Sequence, residues 1–179
     1  MNEKIYVGEA ATALVARSAG IQENVTLGRA RATIRHLRPN AIGGFDQVGD
    51  VEEVWNVITN VGRDFLHQQG YQTTGLGANG LNYIALSNDP VTETSASTTL
   101  SNEITTNGLG RTQGVVAHTN GTNTTTIANT FTASGTQAAQ KAALFTASSA
   151  GIMNHVLGFT QRSLISGDTL QITFTVTLG

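Results

Sequence analysis

The C-terminal residues 169–178 read TLQITFTVTL, and this stretch decides the fold class. Leu170, Ile172 and Phe174 alternate with threonine or glutamine at a period of two. Because successive side chains of a β-strand point to opposite faces, the pattern predicts a strand with one face in a core and a ladder of threonines on the other.

Further short strands are predicted throughout the chain before this segment. From Arg29 to His36, basic or polar residues alternate with Ala30, Ala32 and Ile34, and Pro39 ends the strand. Asn120-Gly121 favours a mirror-image hairpin turn. The other predicted strands cover residues 53–59, 81–86, 114–119, 124–134, 142–147 and 152–160. Seven or eight short strands predict an all-β fold, either an antiparallel β-sandwich of jelly-roll type or a barrel.

The domain organisation follows from where these patterns begin and end. Residues 1–27 have no clean period and are predicted to form an N-terminal arm, whereas residues 28–179 form a single β domain. One short helix is expected over residues 61–69, with Asn60 as its N-cap and Gly70 as a left-handed C-cap. Residues 91–110 are rich in Thr, Ser and Asn and are predicted to be a surface excursion.

The composition narrows the classes of function. Charged residues make up 12% of the chain, about half of the roughly 25% that is usual, and 27 threonines take their place. Without cysteine, no thiolate metal site or catalytic cysteine exists. The net charge of −2 argues against nucleic-acid binding, and no apolar run is long enough for a membrane helix.

No constellation of catalytic residues is evident, so we expect no enzyme, no cofactor and no catalytic site. The four histidines are far apart in sequence and match no zinc spacing: His36, His67, His118 and His155. The Gly-rich residues 75–80 precede a strand, whereas a phosphate loop precedes a helix. One acidic cluster is interpreted as a solvated turn, with a calcium site as the alternative: Asp46, Asp50, Glu52 and Glu53.

The candidate contact residues are basic and lie near the N-terminus: Arg17, Arg29, Arg31 and Arg35. The last three would share one strand face. They are expected either to pair with the carboxylates of residues 46–53 on the return arm of a hairpin or to bind an acidic surface of another protein. A nucleic acid is the less favoured partner.

Several short segments carry a resemblance to a known family: residues 56–67, 82–89, 100–104, 108–111, 141–145 and 166–174. They resemble structural proteins of tailed bacteriophages, over roughly residues 50–179. The resemblance implies a place in the virion, assembly with capsid or tail subunits, and no catalysis.

Two functions are compared on these grounds. The first is a capsid decoration (cement), neck or tail protein that forms homo-oligomers, with its arm lying across a neighbouring subunit. The alternative is a receptor- or carbohydrate-binding β module of a tail fibre. Sugar sites usually need exposed aromatic residues, and Trp55 is predicted to be buried in a strand.

Overall fold

The computed structural model describes residues 15–18, 21–24, 29–62, 65 and 80–177, and the regular secondary structure within them is almost entirely β. The thirteen strands of this part are β1 Val15–Ser18, β2 Ile21–Asn24, β3 Arg29–Pro39, β4 Phe45–Gln47, β5 Glu52–Trp55, β6 Val57–Ile58, β7 Tyr83–Ser87, β8 Thr112–Gln113, β9 Val115–His118, β10 Thr124–Thr132, β11 Gln137–Phe145, β12 Met153–Leu164 and β13 Thr169–Thr177. Most match predicted strands, although β11 and β12 are longer than predicted.

The strands form two antiparallel sheets and one separate hairpin. Sheet 1 has the order β4-β3-β13-β10-β9, with β5 also paired to β3, and sheet 2 has the order β6-β12-β11-β7-β8. Strands β1 and β2 pair with each other. The predicted β-sandwich is confirmed, whereas the barrel alternative is wrong because the two sheets do not close into one.

The core lies between the two sheets, as the final strand predicts. Leu170, Ile172 and Phe174 on β13 are fully buried. Ile34 on β3 and Leu144 on β11 belong to the same apolar cluster and come from opposite sheets. Burial of these inner faces is the main driving force for bringing the sheets together.

The chain passes from one sheet to the other at Asn56, so the predicted continuous strand over residues 53–59 is wrong. Strand β5 pairs with β3 in sheet 1, and β6 pairs with β12 in sheet 2. The backbone N–H of Asn56 donates to the carbonyl of Ala30, and its Oδ1 accepts from the N–H of Ala30 at 2.9 Å. The side chain thus replaces a ladder bond where the backbone turns away.

A second crossing lies at Gly114, between β8 in sheet 2 and β9 in sheet 1. The N–H of Gly114 donates to the carbonyl of Asn82 at 2.7 Å. A Cβ atom here would lie 2.8 Å from Cγ2 of Ile127, so the close approach of the two sheets requires glycine. The predicted strand over residues 114–119 therefore begins only after this crossing.

The helix begins one residue earlier than predicted. Residues 60–62 and 65 are helical, and Thr59 is the N-cap because its Oγ1 accepts from the N–H of Gly62 at 3.1 Å. The prediction that Asn60 is the N-cap is therefore wrong. The predicted C-cap at Gly70 lies outside the described residues.

The hairpin between β9 and β10 has its turn at the predicted place but with a different geometry. The N–H of Thr122 donates to the carbonyl of Thr119, and only Gly121 of the central pair has a positive φ, at 85°. A mirror-image type I turn requires positive φ at both central residues, so Asn120 does not adopt the predicted turn.

Residues 88–111 are more than a surface excursion. Leu100, Ile104 and Leu109 from this segment are buried. Leu100 packs in a second apolar cluster on the outer face of sheet 2, together with side chains of β7, β11 and β12: Ala85, Ala143, Phe145, Met153 and Val156. The segment therefore covers part of that outer face.

Candidate functional site

The outer face of sheet 1 carries the candidate contact residues. Its cross-strand rows, read from β3 through β13 to β10, are Arg31–Thr175–Thr126, Thr33–Thr173–Ala128 and Arg35–Gln171–Thr130. None of these nine residues is buried, whereas the intervening residues of β3 and β13 are. We call these three rows the threonine face.

The four predicted contact arginines have different positions. Arg31 pairs with Glu53 through Nη1 and Oε2 at 2.9 Å, and both side chains are about half exposed. Arg35 is exposed and makes no hydrogen bond or ion pair within the described residues. Arg29 is in register with Thr177, and Arg17 lies on β1, but their side chains are outside the description. A contact role for these arginines stays a prediction.

The acidic cluster does not converge on a metal ion. Asp46 Oδ1 accepts from the Asn40 side chain at 2.9 Å. Glu52 accepts from the N–H of Thr160 and from Arg162, while Glu53 pairs with Arg31. Within the described ranges, no three His, Asp or Glu side chains are grouped to hold a metal. The calcium alternative gains no support from this arrangement.

Asp168 forms a buried polar centre that sequence reasoning missed. Its carboxylate accepts from Arg38 Nε and Nη2, each at 2.9 Å, and lies 2.8 Å from His36 Nε2. The N–H of Ile165 donates to it as well, at 3.1 Å. The bonds from Arg38, followed by those from Ile165 and His36, hold the pKa of Asp168 well below its usual range.

This centre connects two parts of the fold. It joins β3 of sheet 1 to the turn between β12 and β13, where the chain passes from sheet 2 to sheet 1. A histidine–aspartate pair becomes catalytic when the histidine also activates a nucleophile. In the described part of the chain, the imidazole of His36 has no hydrogen-bond partner other than Asp168.

Lys141 forms a second buried ionic group, on the outer face of sheet 2. Its Nζ lies 2.8 Å from Oε1 of Glu93 and 3.3 Å from Oδ2 of Asp89. The Lys141 side chain is only 3% exposed. The N–H of Val91, and then Lys141, lower the pKa of Asp89. These ion pairs hold the start of residues 88–111 against β11. Removal of Lys141, or of both carboxylates, would leave a buried charge without a partner.

Arg111 fastens the far end of the same segment. Its guanidinium forms two bonds to the carboxylate of Glu103, at 2.8 and 2.6 Å, and lies 3.5 Å above the ring centre of Phe145. It also donates to the carbonyls of Ala147 and Ala150 in the β11–β12 turn. The planar fork of arginine is suited to this combination of paired bonds and stacking.

Trp55 is exposed, so the prediction of core burial is wrong. Its exposed fraction is 64%, and it lies opposite Arg31 in the β3–β5 pairing. The neighbouring Val54, opposite the buried Ala32, packs against the core instead. The physical reason is strand alternation, which places only one of two adjacent residues inside.

The three histidines within the described residues occupy separate environments, as predicted. His155 is buried between the sheets beside Nδ2 of Asn56, and burial lowers its pKa to about 4. His118 lies on the exposed strand β9, where its Nδ1 is 2.8 Å from the carbonyl of Thr124. His67 is outside the described residues.

Comparison with known proteins finds no protein-family model, no curated protein and no solved structure that matches the chain. The resemblance to structural proteins of tailed phages therefore stays a prediction. Among the residues that the structure describes, no helix is both long and apolar enough to span a membrane.

Proposed function

We propose that the protein is a structural subunit of a tailed-phage virion, a capsid decoration, neck or tail protein that acts through protein–protein contacts and forms homo-oligomers. The observation that carries the proposal is the threonine face. Across three strands it presents five threonines, one alanine and one glutamine, with Arg31 and Arg35 at one margin as its only charges. This composition suits a packing surface better than a solvated one.

The physical argument concerns the free energy lost on association. Threonine is stiff at χ1, so it loses little rotamer entropy when a partner covers it, whereas lysine and glutamate lose much more. Charged residues are also depleted at the centres of protein interfaces. Thr173 lies at the middle of the face, between Thr33 and Ala128, and carries no charge. An acidic partner would meet the unpaired Arg35 at the margin.

The arm offers a second support. Within the described residues, β1 and β2 form a hairpin that pairs with no other strand. An isolated two-stranded hairpin is marginally stable in water and needs a surface to pack on. We propose that the neighbouring subunit supplies this surface.

The first test is the mass of the protein in solution by light scattering over a range of concentrations. We expect a multimer for the natural chain and a monomer for Thr173→Glu, because a carboxylate would be buried unpaired at the centre of the contact. Thr98→Glu, which places the same charge on an exposed threonine of residues 88–111, is the matched control and should keep the mass unchanged. Deletion of residues 1–27 should weaken the multimer.

The second test concerns the virion itself. Mass spectrometry of purified particles, produced from a genome that encodes this chain, should detect it at a fixed number of copies per particle. Absence from the particles contradicts the proposed location. A monomer that occurs in particles would instead assign assembly to a partner surface and remove homo-oligomerisation from the proposal.

A further inference from the structure

A groove crosses the outer face of sheet 2 on the side where β5 continues into β6. Its volume is about 420 Å³, which lies within the range of roughly 300–1,000 Å³ typical of small-molecule sites. Trp55 and Val57 line one side, residues 89–93 line the other, and Lys141 and Gly158 lie between them. The groove borders the threonine face at Trp55, which is in register with Arg31, and none of the residues of the Asp168 centre lines it.

Trp55 gives this groove an apolar platform. The Trp55 side chain is 64% exposed, whereas tryptophan side chains usually bury a large apolar area. On the opposite rim Val91 is 65% exposed. A flat apolar ligand surface, such as the C–H face of a sugar ring, would remove both side chains from water and gain the corresponding hydrophobic free energy.

The middle of the groove retains unused hydrogen-bonding capacity. Two of the three N–H bonds of the Lys141 ammonium are directed to Asp89 and Glu93, which leaves one donor. Within the described residues, Oε2 of Glu93 accepts no bond. Gln140 donates to the carbonyl of Asn88, and its Oε1 has no partner in the same part of the chain. Fixed donors and acceptors of this kind suit hydroxyl groups.

The charges in the groove are largely matched internally. The lining carboxylates are Glu52, Asp89 and Glu93. Lys141 pairs with the last two and offsets one of their two charges, and Arg162 lies 3.2 Å from Glu52. A polyanion would meet three carboxylates, and a cationic peptide would compete with cations already in place. A neutral ligand rich in hydroxyl groups meets neither obstacle.

From these observations we propose that the groove beside Trp55 binds a neutral saccharide, with a sugar ring on the indole and its hydroxyl groups on Lys141, Glu93 and Gln140. The inference does not depend on the proposed function in assembly. It sharpens the carbohydrate-binding alternative, because the exposed aromatic residue that such a site needs is present.

The test uses the natural fluorescence of the full chain, since Trp55 is its single tryptophan. The protein is titrated with neutral oligosaccharides of glucose, galactose, mannose and N-acetylglucosamine, and separately with a lysine decapeptide and a heparin oligosaccharide. We expect a saturable change in emission with at least one neutral class, and little dependence on salt. No response to any neutral class, or a salt-dependent response to the peptide or heparin alone, would overturn the proposal.

Gly158→Leu tests the location without removing the reporter. A Cβ atom at Gly158 has only the carbonyl oxygen of Gln140 within 4 Å, at 3.8 Å, so the backbone accommodates a side chain that fills the groove. We expect affinity to fall at least about tenfold with an unchanged thermal midpoint. Phe45→Ala removes a different exposed aromatic residue and should leave affinity unchanged. Equal affinity for Gly158→Leu and the natural chain would contradict the assignment.

A calorimetric titration of Trp55→Ala completes the series, because that variant has no fluorescent reporter. It should lose about tenfold or more in affinity, and Trp55→Phe should recover part of the loss. Thr173→Glu should bind the saccharide normally, so failure of the assembly proposal and failure of this one give different results.

Discussion

The outer faces of the two sheets differ although both belong to the same sandwich. Sheet 1 presents the threonine face, where no residue of the three rows is buried. Sheet 2 presents Ala143, Phe145 and Val156, which are buried, and Leu100 from residues 88–111 packs on them. Strand β11 is apolar on both faces, and residues 88–111 of the same chain cover its outer face. Strand β13 has threonines on its outer face, and no described segment of the chain buries that face, so it is accessible to another molecule.

The largest expected effect is a difference in unfolding free energy between substitutions on the two outer faces. Phe145→Ala should lower the free energy of unfolding by about 3–5 kcal/mol, because it leaves a cavity under Arg111 and Leu100. Thr173→Ala should lower it by less than about 1 kcal/mol, since it removes a partly exposed side chain. Denaturant-induced unfolding measures both. Equal, small losses would mean that residues 88–111 do not cover sheet 2.

A second prediction compares the shared interior with the exposed edge of sheet 1. Burial holds the pKa of His155 at about 4, below its ordinary value of 6.5. Because the unfolded chain binds the proton first, the stability that neutral His155 contributes is complete above pH 6.5 and is lost as the pH falls towards 4. The loss over this interval is about 3 kcal/mol.

His155→Gln should remove that part of the pH dependence, whereas His118→Gln, on the exposed strand β9, should keep it. Unfolding curves recorded from pH 7 to pH 4 for the two variants make the comparison. If the slope for His155→Gln equals that of the natural chain, a different group titrates in this range.

The sequence predicts the strands whose two faces differ in polarity. The alternation of β13 and β3 identifies their buried apolar residues, although Thr169, on the threonine side of β13, is buried as well. Strand β11 has no such alternation because both of its faces are buried from Lys141 to Phe145, and only part of it was predicted. The crossings at Asn56 and Gly114 depend on which sheet each neighbouring strand joins, and a local pattern does not contain that information.

The contacts of the candidate sites also divide into those that a local sequence pattern predicts and those that depend on the fold. The pairing of Arg31 with Glu53 could be predicted because one hairpin brings β3 and β5 together. Lys141 and Asp89 are 52 positions apart, and His36 and Asp168 are 132 apart, so only the fold brings them into contact. Strand alternation correctly predicts that only one of the adjacent residues Val54 and Trp55 faces the core. Which of the two does so depends on the pairing with β3, which places Val54 opposite the buried Ala32.

The smallest expected effect concerns the margin of the threonine face. A double-mutant cycle with Arg31→Ala and Glu53→Ala should give a coupling energy below about 0.5 kcal/mol, because both side chains are about half exposed and water screens the pair. The coupling should decrease further when salt is raised. A coupling well above about 1 kcal/mol would show that Arg31 is held by its own chain and is not available to a partner. If the coupling is weak, Arg31 can exchange Glu53 for a carboxylate of a neighbouring subunit. Arg31→Ala should then change the mass of the assembly more than it changes the stability of the fold.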